Sequence, residues 1–211
     1  MKPVRKRPTR TPNLTTRREE VPPQAVIIAG PNGSGKSTCA EFLLQETMQF
    51  VNADIIAQQM TGLASTTADI GAGRVLLAHL DALTETRRDF AIETTLATKT
   101  LADRVVEWRA GGYQVHLIFL YLAGEDLAVQ RVAFRVRNGG HNVPESTIRR
   151  RFKVGLRNLF QVYTPVVDTW RVYDNSKGTE PELIASGSTG QVRKVPQPEL
   201  WRSLRAEYAG E

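Results

Sequence analysis

A glycine-rich segment, GPNGSGKS at residues 30–37, carries the residue types that bind phosphate groups. It fits the pattern G-x-x-x-x-G-K-[ST], the Walker A motif or P-loop, at each fixed position. Glycines let the backbone N–H groups turn toward phosphate oxygens, because a Cβ there would block the approach. The segment follows an apolar run at residues 25–29 and precedes a predicted helix at 36–48, whose positive N-terminal end would face the same phosphates. The spacing therefore predicts a nucleoside triphosphate site.

Nine consecutive residues make up the predicted nucleotide site: Gly30, Pro31, Asn32, Gly33, Ser34, Gly35, Lys36, Ser37 and Thr38. We expect the Lys36 ammonium to reach the β- and γ-phosphates and the Ser37 hydroxyl to ligate Mg²⁺. ATP and Mg²⁺ are thus the expected cofactors. A glycine-rich turn that matched the pattern by chance would lack the flanking strand and helix.

Further polar side chains lie where predicted strands end. Asp54 ends a short predicted strand at residues 49–54, and Glu93 and Thr94 end another at 89–95. Ligands of open parallel sheets bind at the carboxyl ends of the strands. Asp54 is therefore predicted to be a general base that accepts the proton of an attacking alcohol, although it could also cap the helix predicted at 55–60. Glu93 and Thr94 suit hydrogen bonding to a polyhydroxyl acceptor.

Arginines are concentrated in two predicted helices, at residues 125–137 and 144–160, separated by a glycine break at 139–140. Arg131 and Arg135 lie four residues apart on the first helix, and the second carries arginines at 149–151. This pattern is typical of a mobile lid over a phosphate site, and its alternative is a solvated basic face. We predict that Arg131, Arg135 and Arg151 neutralise the charge that develops on the transferring phosphoryl group.

Strands that alternate with helices predict βαβ crossovers and a mostly parallel sheet. The expected fold class is α/β, a three-layer αβα sandwich of the P-loop NTPase type, with the apolar strand at 113–122 in the sheet centre and 181–185 as the last edge strand. One short C-terminal helix is expected, with Trp201 and Leu204 as its apolar contacts. The central strand ends without an acidic residue, which favours a small-molecule kinase over a mechanical ATPase or GTPase.

Charge and composition limit the domain organisation. The net charge of +6 is concentrated at the N-terminus, where residues 1–20 hold seven Lys or Arg and two Glu. We expect a basic, disordered tail at residues 1–23, a kinase domain at 24–187 and a C-terminal extension at 188–211. Cys39 is the only cysteine, so no intramolecular disulfide forms. No apolar run approaches the roughly 18 residues that span a membrane, and no signal peptide is evident, so a cytoplasmic protein is expected.

Several motifs occur in the order seen in one known family. GPNGSGKST, NADIIA, ETTLA, RVAFRVRNGGHNVP with IRRRF, and VYDNS followed by LIASG together resemble the zeta toxin-like kinases, over roughly residues 24–187. RVAFR and IRRRF also look like the lid-flanking motifs of nucleoside monophosphate kinases. The lid of this chain departs from the family pattern at Gly139-Gly140-His141, and the chain is shorter than the larger toxins.

The resemblance implies a nucleoside monophosphate kinase-like P-loop fold with an Arg-rich helical lid. It implies ATP-dependent phosphorylation of the 3′-hydroxyl of the amino sugar in UDP-N-acetylglucosamine, in a toxin that an antitoxin protein holds in check. Lys36 would be the phosphate-binding lysine and Asp54 the general base. Glu93 and Thr94 would contact the nucleotide sugar, and the arginines of the RVAFR helix and the lid would stabilise the γ-phosphate.

Three other functions fit the same residues. The acceptor could be another small hydroxylated molecule or an antibiotic, because the base and the lid would look the same. The chain could instead be a P-loop enzyme or binding protein directed at nucleic acid, with residues 1–20 as a weak anchor. A regulatory nucleotide-binding module without chemistry is the third, and it predicts no effect of Asp54→Asn.

Overall fold

A computed structural model of the protein describes residues 21–43, 48–52, 65–178 and 180–210. The strands in these ranges form one seven-stranded sheet with the order β2-β3-β1-β4-β5-β6-β7. They are β1 (Gln24–Ala29), β2 (Gln49–Asn52), β3 (Phe90–Thr94), β4 (Gln114–Tyr121), β5 (Thr169–Asp174), β6 (Glu182–Ser188) and β7 (Gln191–Lys194). β1 to β5 are parallel, while β6 and β7 add in antiparallel orientation. The predicted α/β class is confirmed, with β4 at the sheet centre.

Helices separate most of the strands. They are α1 (Lys36–Leu43), α2 (Ser65–Glu85), α3 (Thr100–Ala110), α4 (Glu125–Arg137), α5 (Glu145–Asn158) and α6 (Pro198–Tyr208). A five-residue π-helix, Leu159–Tyr163, continues α5, which the sequence did not predict. None of the helices in the described ranges is both long and apolar enough to cross a membrane.

The parallel register determines which side chains meet at the carboxyl edge of the sheet. β3 lies beside β1, with Ala29 opposite Thr94, and beside β2, with Asn52 opposite Glu93. The buried strand interiors, such as Ile27, exclude water from the sheet and hold this register in place. The glycine loop that follows β1 therefore lies next to the polar ends of β2 and β3.

The C-terminal residues pack on the same sheet. Trp201 of α6 stacks on Trp170 of β5 with ring centroids 5.4 Å apart and lies 5.1 Å from the Phe160 ring. Leu204 of the same helix is buried. The predicted C-terminal helix and its two apolar contacts are thus present.

The prediction that residues 181–185 form the last edge strand is wrong. β6 runs to Ser188 and pairs with both β5 and β7, so β7 occupies the edge. Gly187 lies within β6, where the Gln191 carbonyl oxygen and the Trp170 ring occupy the space that a Cβ would need. A close packing partner, and not a turn, explains this glycine.

Candidate functional site

The glycine loop between β1 and α1 has the conformation that its sequence predicts. Gly30, Gly33 and Gly35 all have positive φ angles, of 145°, 79° and 84°. A Cβ on Gly33 would lie 3.0 Å from the carbonyl oxygen of Ala128, and one on Gly35 would lie 2.8 Å from Asn175 Nδ2. The loop therefore requires glycine both for its backbone angles and for the close approach of neighbouring elements.

Two buried polar atoms of the loop have no hydrogen-bond partner among the described residues: Ser34 Oγ and Asn32 Oδ1. Ser34 is 0 % exposed. A buried hydroxyl without a partner costs about 1–3 kcal/mol, which a ligand can offset by accepting its hydrogen. Phosphate oxygens are such acceptors, whereas the Asn32 oxygen needs a donor. The loop therefore fits a bound phosphate chain through Ser34.

Lys36, at the first position of α1, is held inside the loop. Its Nζ donates to the carbonyl oxygen of Pro31 at 3.0 Å and lies 3.8 Å from Glu93 Oε1. The two charged side chains are 7 % and 8 % exposed. A buried ammonium stays charged only beside such oxygen partners, so the positive charge is positioned where the loop would receive phosphates.

Glu93 connects three elements of the site. Its Oε2 accepts hydrogen bonds from Ser37 Oγ and Asn52 Nδ2, each at 2.8 Å. Asn52 is the last residue of β2 and is buried, so β2, β3 and α1 are linked through one carboxylate. Sequence reasoning missed Asn52, although its place in the NAD triplet at a strand end is a usable signal.

Thr94 follows Glu93, and its side chain serves the local turn. Its Oγ1 accepts from the Leu96 amide at 3.1 Å, and its carbonyl oxygen accepts from the Gly30 amide at 3.3 Å. Leu96 is fully buried with a φ of 54°, an uncommon angle for a side chain of this size. The loop after β3 is thus held in a strained conformation next to the glycine loop.

Helix α5 and the π-helix support this strained loop from the other side. Asn158 Nδ2 donates to the carbonyl oxygen of Leu96 at 2.6 Å, and Tyr163 Oη donates to that of Thr98 at 2.8 Å. Gly155 allows the helix to contact the Thr95 carbonyl closely. These contacts fix the direction of the chain immediately after Glu93 and Thr94.

Arg131 lies close to the glycine loop but is bonded to the turn after β5. Its Nη2 donates to the Ser176 carbonyl oxygen at 2.7 Å. In the same turn, Asn175 Nδ2 donates to the Ser34 carbonyl oxygen at 2.8 Å. The turn therefore joins α4 to the loop. Local sequence could not reveal this contact, because it spans 141 residues.

The other two arginines of the predicted site make no hydrogen bond to the glycine loop among the described residues. Arg135 is exposed, and its Nη2 donates to the His141 carbonyl oxygen at 2.9 Å. Arg151 is partly exposed, and its side chain makes no hydrogen bond or ion pair with the described residues. By contrast, Arg149 binds Asp126 at 2.8 Å and so links α5 to α4. That α4 and α5 act as a lid stays a prediction.

Asp54, the predicted general base, lies outside the described residues, as do the predicted helix at 55–60 and the tail at residues 1–20. Two other side chains with reactive potential are described. Burial raises the pKa of the Cys39 thiol, which disfavours a thiolate nucleophile. His116 pairs through its two ring nitrogens with Thr169 Oγ1 and Gln24 Oε1, at the opposite end of the strands.

Comparison with known proteins places this geometry in a family. A family model described as Zeta toxin matches residues 10–181. The chain belongs to the zeta toxin family. Its predicted resemblance is therefore confirmed. An uncharacterised protein of Haemophilus influenzae is 29 % identical over 129 residues, which are 61 % of this chain and 92 % of that protein.

Solved structures share the fold of this zeta toxin family member. Two structures of the AvrRxo1-ORF1:AvrRxo1-ORF2 complex superpose on this chain. The one with sulphate ions gives a TM-score of 0.69 at 14 % identity, and the one with ATP gives 0.67 at 15 % identity. The chain of the PezAT toxin-antitoxin system of Streptococcus pneumoniae gives 0.59 at 17 % identity, covering 93 % of this chain and 83 % of that one. A putative kinase of Chloroflexus aurantiacus gives 0.56 at 13 % identity, covering 88 % and 95 %.

The matched region covers 88 % of this chain but only 64 % of the AvrRxo1 chain in both structures. The likeness to these structures is one of fold. Together with the family match, it identifies a P-loop kinase fold of the zeta toxin type, in which the glycine loop, Lys36 and Glu93 meet at the carboxyl edge of the sheet.

Proposed function

We propose that this zeta toxin family member transfers the γ-phosphoryl group of ATP to a hydroxyl of a nucleotide sugar of the UDP-N-acetylglucosamine type. The observation that carries the proposal is the buried Lys36–Glu93 pair beside a glycine loop in which the Ser34 hydroxyl has no partner among the described residues. The Lys36 ammonium can neutralise the charge of a polyphosphate, and the Ser34 hydroxyl can donate a hydrogen bond to one of its oxygens.

ATP and Mg²⁺ are the proposed cofactors, and residues 30–38 would hold the nucleotide. The Ser37 hydroxyl donates its hydrogen to Glu93 and keeps its oxygen lone pairs available for a cation. Mg²⁺ prefers oxygen ligands and is commonly bound between one or two protein oxygens and substrate phosphates. When bound, it would neutralise negative charge on the β- and γ-phosphates. The described residues fit this arrangement.

Asp54 is the proposed general base. Asn52, two residues earlier in the sequence, donates a hydrogen bond to Glu93 at the carboxyl edge of the sheet, which supports a role for the segment that follows it. In the proposed step the acceptor oxygen bonds to the γ-phosphorus as the bond to the β–γ bridging oxygen breaks. ADP leaves, and Asp54 takes the proton of the hydroxyl.

Arg131, Arg135 and Arg151 are proposed to neutralise the charge that builds on the transferring group. Arg131 already lies beside the glycine loop, whereas Arg135 would have to release the His141 carbonyl oxygen. The glycines of the break at 139–140 allow such a movement, since Gly139 has a positive φ and open space around it. Glu93 and Thr94 are the proposed contacts to the nucleotide sugar.

We further propose that the protein acts in the cytoplasm as a toxin with an antitoxin partner. A chain of the PezAT toxin-antitoxin system of Streptococcus pneumoniae has the same fold, which supports this partner class. The proposed layout keeps a basic tail at residues 1–23, the kinase domain at 24–187 and a C-terminal extension at 188–211. The tail would contribute at most weak contacts to nucleic acid.

The test is incubation of the full chain with ATP, Mg²⁺ and a panel of nucleotide sugars, followed by mass spectrometry of the products. The proposal predicts one nucleotide sugar that becomes heavier by one phosphoryl group, and no such product with Lys36→Met. Transfer only to other small alcohols or antibiotics would overturn the acceptor class. Nucleotide binding without transfer to any member of the panel would overturn the enzymatic role.

Deletion of residues 1–20 separates the proposed function from the nucleic-acid alternative. If turnover on the small acceptor persists without the tail, the anchor hypothesis fails. If instead transfer requires both the tail and an added oligonucleotide, the nucleotide-sugar proposal fails. Because most of the net charge lies in the tail, its removal leaves the rest of the chain almost neutral.

A further inference from the structure

The loop after β3, residues 95–98, has a backbone conformation that its own side chains do not favour. Leu96 has a φ of 54°, although it is a large and fully buried residue. Residues other than glycine rarely adopt such angles, and those that do are concentrated at ligand sites. The loop directly follows Glu93 and Thr94, the proposed contacts to the acceptor. Contacts from outside the loop must stabilise this conformation.

Two such contacts come from the end of α5 and from the π-helix that continues it. Asn158 Nδ2 donates to the Leu96 carbonyl oxygen at 2.6 Å, and Tyr163 Oη donates to the Thr98 carbonyl oxygen at 2.8 Å. Asn158 is 4 % exposed and Tyr163 is fully buried, so both hydrogen bonds are largely protected from water. The loop is therefore held at two points by one helical segment.

The π-helix allows Asn158 and Tyr163 to reach the same loop. In an α-helix, residues five positions apart point about 140° away from each other around the axis. Here the Thr164 amide donates to the Leu159 carbonyl oxygen at 3.0 Å, the i→i+5 hydrogen bond of a π-helix. This wider turn places residues five apart on nearly one face. Because π-helical turns are rare and frequently lie at functional sites, a π-helix beside a strained loop indicates a functional constraint.

The other side of the π-helix is fixed by the C-terminal helix α6. The Phe160 ring lies 5.1 Å from the Trp201 ring, and Gln161 Nε2 donates to the Tyr208 carbonyl oxygen at 3.2 Å. α6 lies beyond the residues that match the family model. The support behind the loop therefore includes a part of this chain that the family match does not cover.

The conformation of the loop determines what Thr94 can offer to an acceptor. Its Oγ1 accepts from the Leu96 amide at 3.1 Å, so the backbone at Leu96 fixes the position of this oxygen. A threonine hydroxyl also has one hydrogen to donate. Since Thr94 is partly exposed, this hydrogen can be donated to an oxygen of a bound molecule.

We propose that Asn158 and Tyr163 are positioning residues for the acceptor: they hold residues 95–98 in the strained conformation that orients the Thr94 hydroxyl toward an acceptor oxygen. The inference deepens the proposed function and rests on its assignment of Thr94 to the acceptor. A loop held in advance binds its ligand without rearrangement. Loss of either hydrogen bond should therefore weaken acceptor binding and leave ATP binding unchanged.

The test is steady-state kinetics of the full chain with the nucleotide sugar that the panel identifies, together with calorimetric titration of ATP. Tyr163→Phe removes one hydroxyl and keeps the ring. Tyr113→Phe is the matched control, because the buried Tyr113 hydroxyl donates to the Arg88 carbonyl oxygen at 3.0 Å, near the start of β3 and not at its end. We expect Tyr163→Phe to raise the KM of the acceptor by roughly three- to tenfold, with the Kd of ATP unchanged. The control should change neither quantity.

Asn158→Leu removes the second hydrogen bond and leaves the buried Leu96 carbonyl oxygen without this donor, so its effect on the KM of the acceptor should be the larger. Gln161→Leu is the control, because it removes a hydrogen bond on the outer side of the same π-helix. Equal losses of acceptor and ATP affinity in Tyr163→Phe would show a merely structural role. An unchanged KM of the acceptor in both loop variants would overturn the proposal.

Thr94→Val tests whether the positioning residues act through the Thr94 hydroxyl. It should raise the KM of the acceptor, and adding Tyr163→Phe should then raise it by less than about twofold more, because the hydroxyl that the loop orients is already absent. If Tyr163→Phe keeps its full effect in the Thr94→Val background, the route through Thr94 is wrong.

Hydrogen exchange of the free protein separates this inference from the proposed function. The amides of residues 95–99 should exchange roughly three- to tenfold faster in Tyr163→Phe than in the wild type, and at the wild-type rate in Tyr113→Phe. Unchanged exchange in Tyr163→Phe would overturn the positioning role, whichever acceptor the panel identifies. A panel without any phosphorylated nucleotide sugar would overturn the proposed function, and the exchange rates would still decide whether Tyr163 holds the loop.

Discussion

The glycine loop at residues 30–35 and the arginine-bearing helices α4 and α5 differ in how their polar groups are held. Around the loop, Lys36 and Glu93 are buried and lie 3.8 Å apart, Lys36 donates to the Pro31 carbonyl oxygen, and Glu93 accepts from Ser37. On the helices, Arg135 is exposed and Arg151 partly exposed, and Arg135 binds a carbonyl oxygen of its own connecting loop. One half of the candidate site is preorganised, while the other would have to assemble around its ligand.

This difference assigns different work to the two halves. Fixed charges lower the cost of binding, because no rearrangement accompanies the arrival of the nucleotide. Charges that arrive later can favour the transition state over the ground state, which raises kcat without tightening the substrate complex. Variants of the first half should therefore affect both affinity and turnover, and variants of the second half mainly turnover.

Asp54→Asn is expected to have the largest effect on turnover. Loss of a general base lowers kcat by about 10²–10⁴-fold, and ATP affinity should be retained because the proposed role of Asp54 concerns the proton of the acceptor and not the nucleotide. Steady-state kinetics and ATP titration measure the two quantities. Asp81→Asn is the control, since Asp81 binds Arg104 on the far helices. Unchanged turnover in Asp54→Asn would end the general-base assignment.

Lys36→Met should lower kcat by about 10²–10³-fold and also weaken ATP binding, because one preorganised charge acts on both states. The control is Lys153→Met, in which an exposed lysine of α5 loses its contact to Glu125 at 3.1 Å. A loss of turnover without any loss of affinity would contradict the view that this half is preassembled for the nucleotide.

Arg151→Gln should lower kcat by roughly 10–100-fold, which corresponds to the loss of one hydrogen bond to a charged group in the transition state. The affinity for ATP should be nearly unchanged. Arg149→Gln is a matched control on the same helix, because Arg149 is neutralised by Asp126 and Glu145. Equal effects of the two substitutions would mean that α5 supplies only a solvated basic face. Arg135→Gln can be compared in the same way.

The smallest effect is expected for His116, at the opposite end of the strands, where a substitution should alter the pH dependence of stability and leave both halves of the site intact. Burial lowers the pKa of His116 below its ordinary value, so the folded protein favours the neutral ring. Its contribution to stability is present above the unfolded-state pKa of about 6.5 and is lost as the pH falls below it. The free energy of unfolding should thus decrease from pH 7.5 to 5.5.

Denaturant titrations at the two pH values check this expectation. The decrease should be smaller in His116→Gln, which cannot titrate, than in the wild type. His79→Gln, at an exposed position on α2, should behave as the wild type does. An identical pH dependence in His116→Gln would show that the ring is not the titrating group.

The sequence predicted those features that depend on neighbouring residues in the chain. The glycine loop, the helix Glu125–Arg137 and the strand-end position of Glu93 follow from local motifs and apolar periodicity. The last edge strand was misplaced, because β7 (Gln191–Lys194) pairs with β6 and takes the edge, and the sequence pattern at residues 181–185 carries no signal for that pairing.

Contacts between distant parts of the chain could not be predicted from the sequence. The Asn52–Glu93 hydrogen bond depends on the register of β2 against β3, and the Asn175–Ser34 hydrogen bond on the position of β5. Register is determined by packing of whole strands, which no short motif encodes. For the same reason, the sequence located the arginines on their helices but not relative to the loop.

A crystal structure with Mg²⁺ and a non-hydrolysable ATP analogue would test the central claim most directly. The account predicts a glycine loop nearly unchanged around the phosphates, and an Asp54 carboxylate that faces the γ-phosphate with space for a hydroxyl within roughly 2.6–3.2 Å of it. An Asp54 side chain outside that cleft, or hydrogen-bonded away from it, would contradict the proposed transfer to an alcohol.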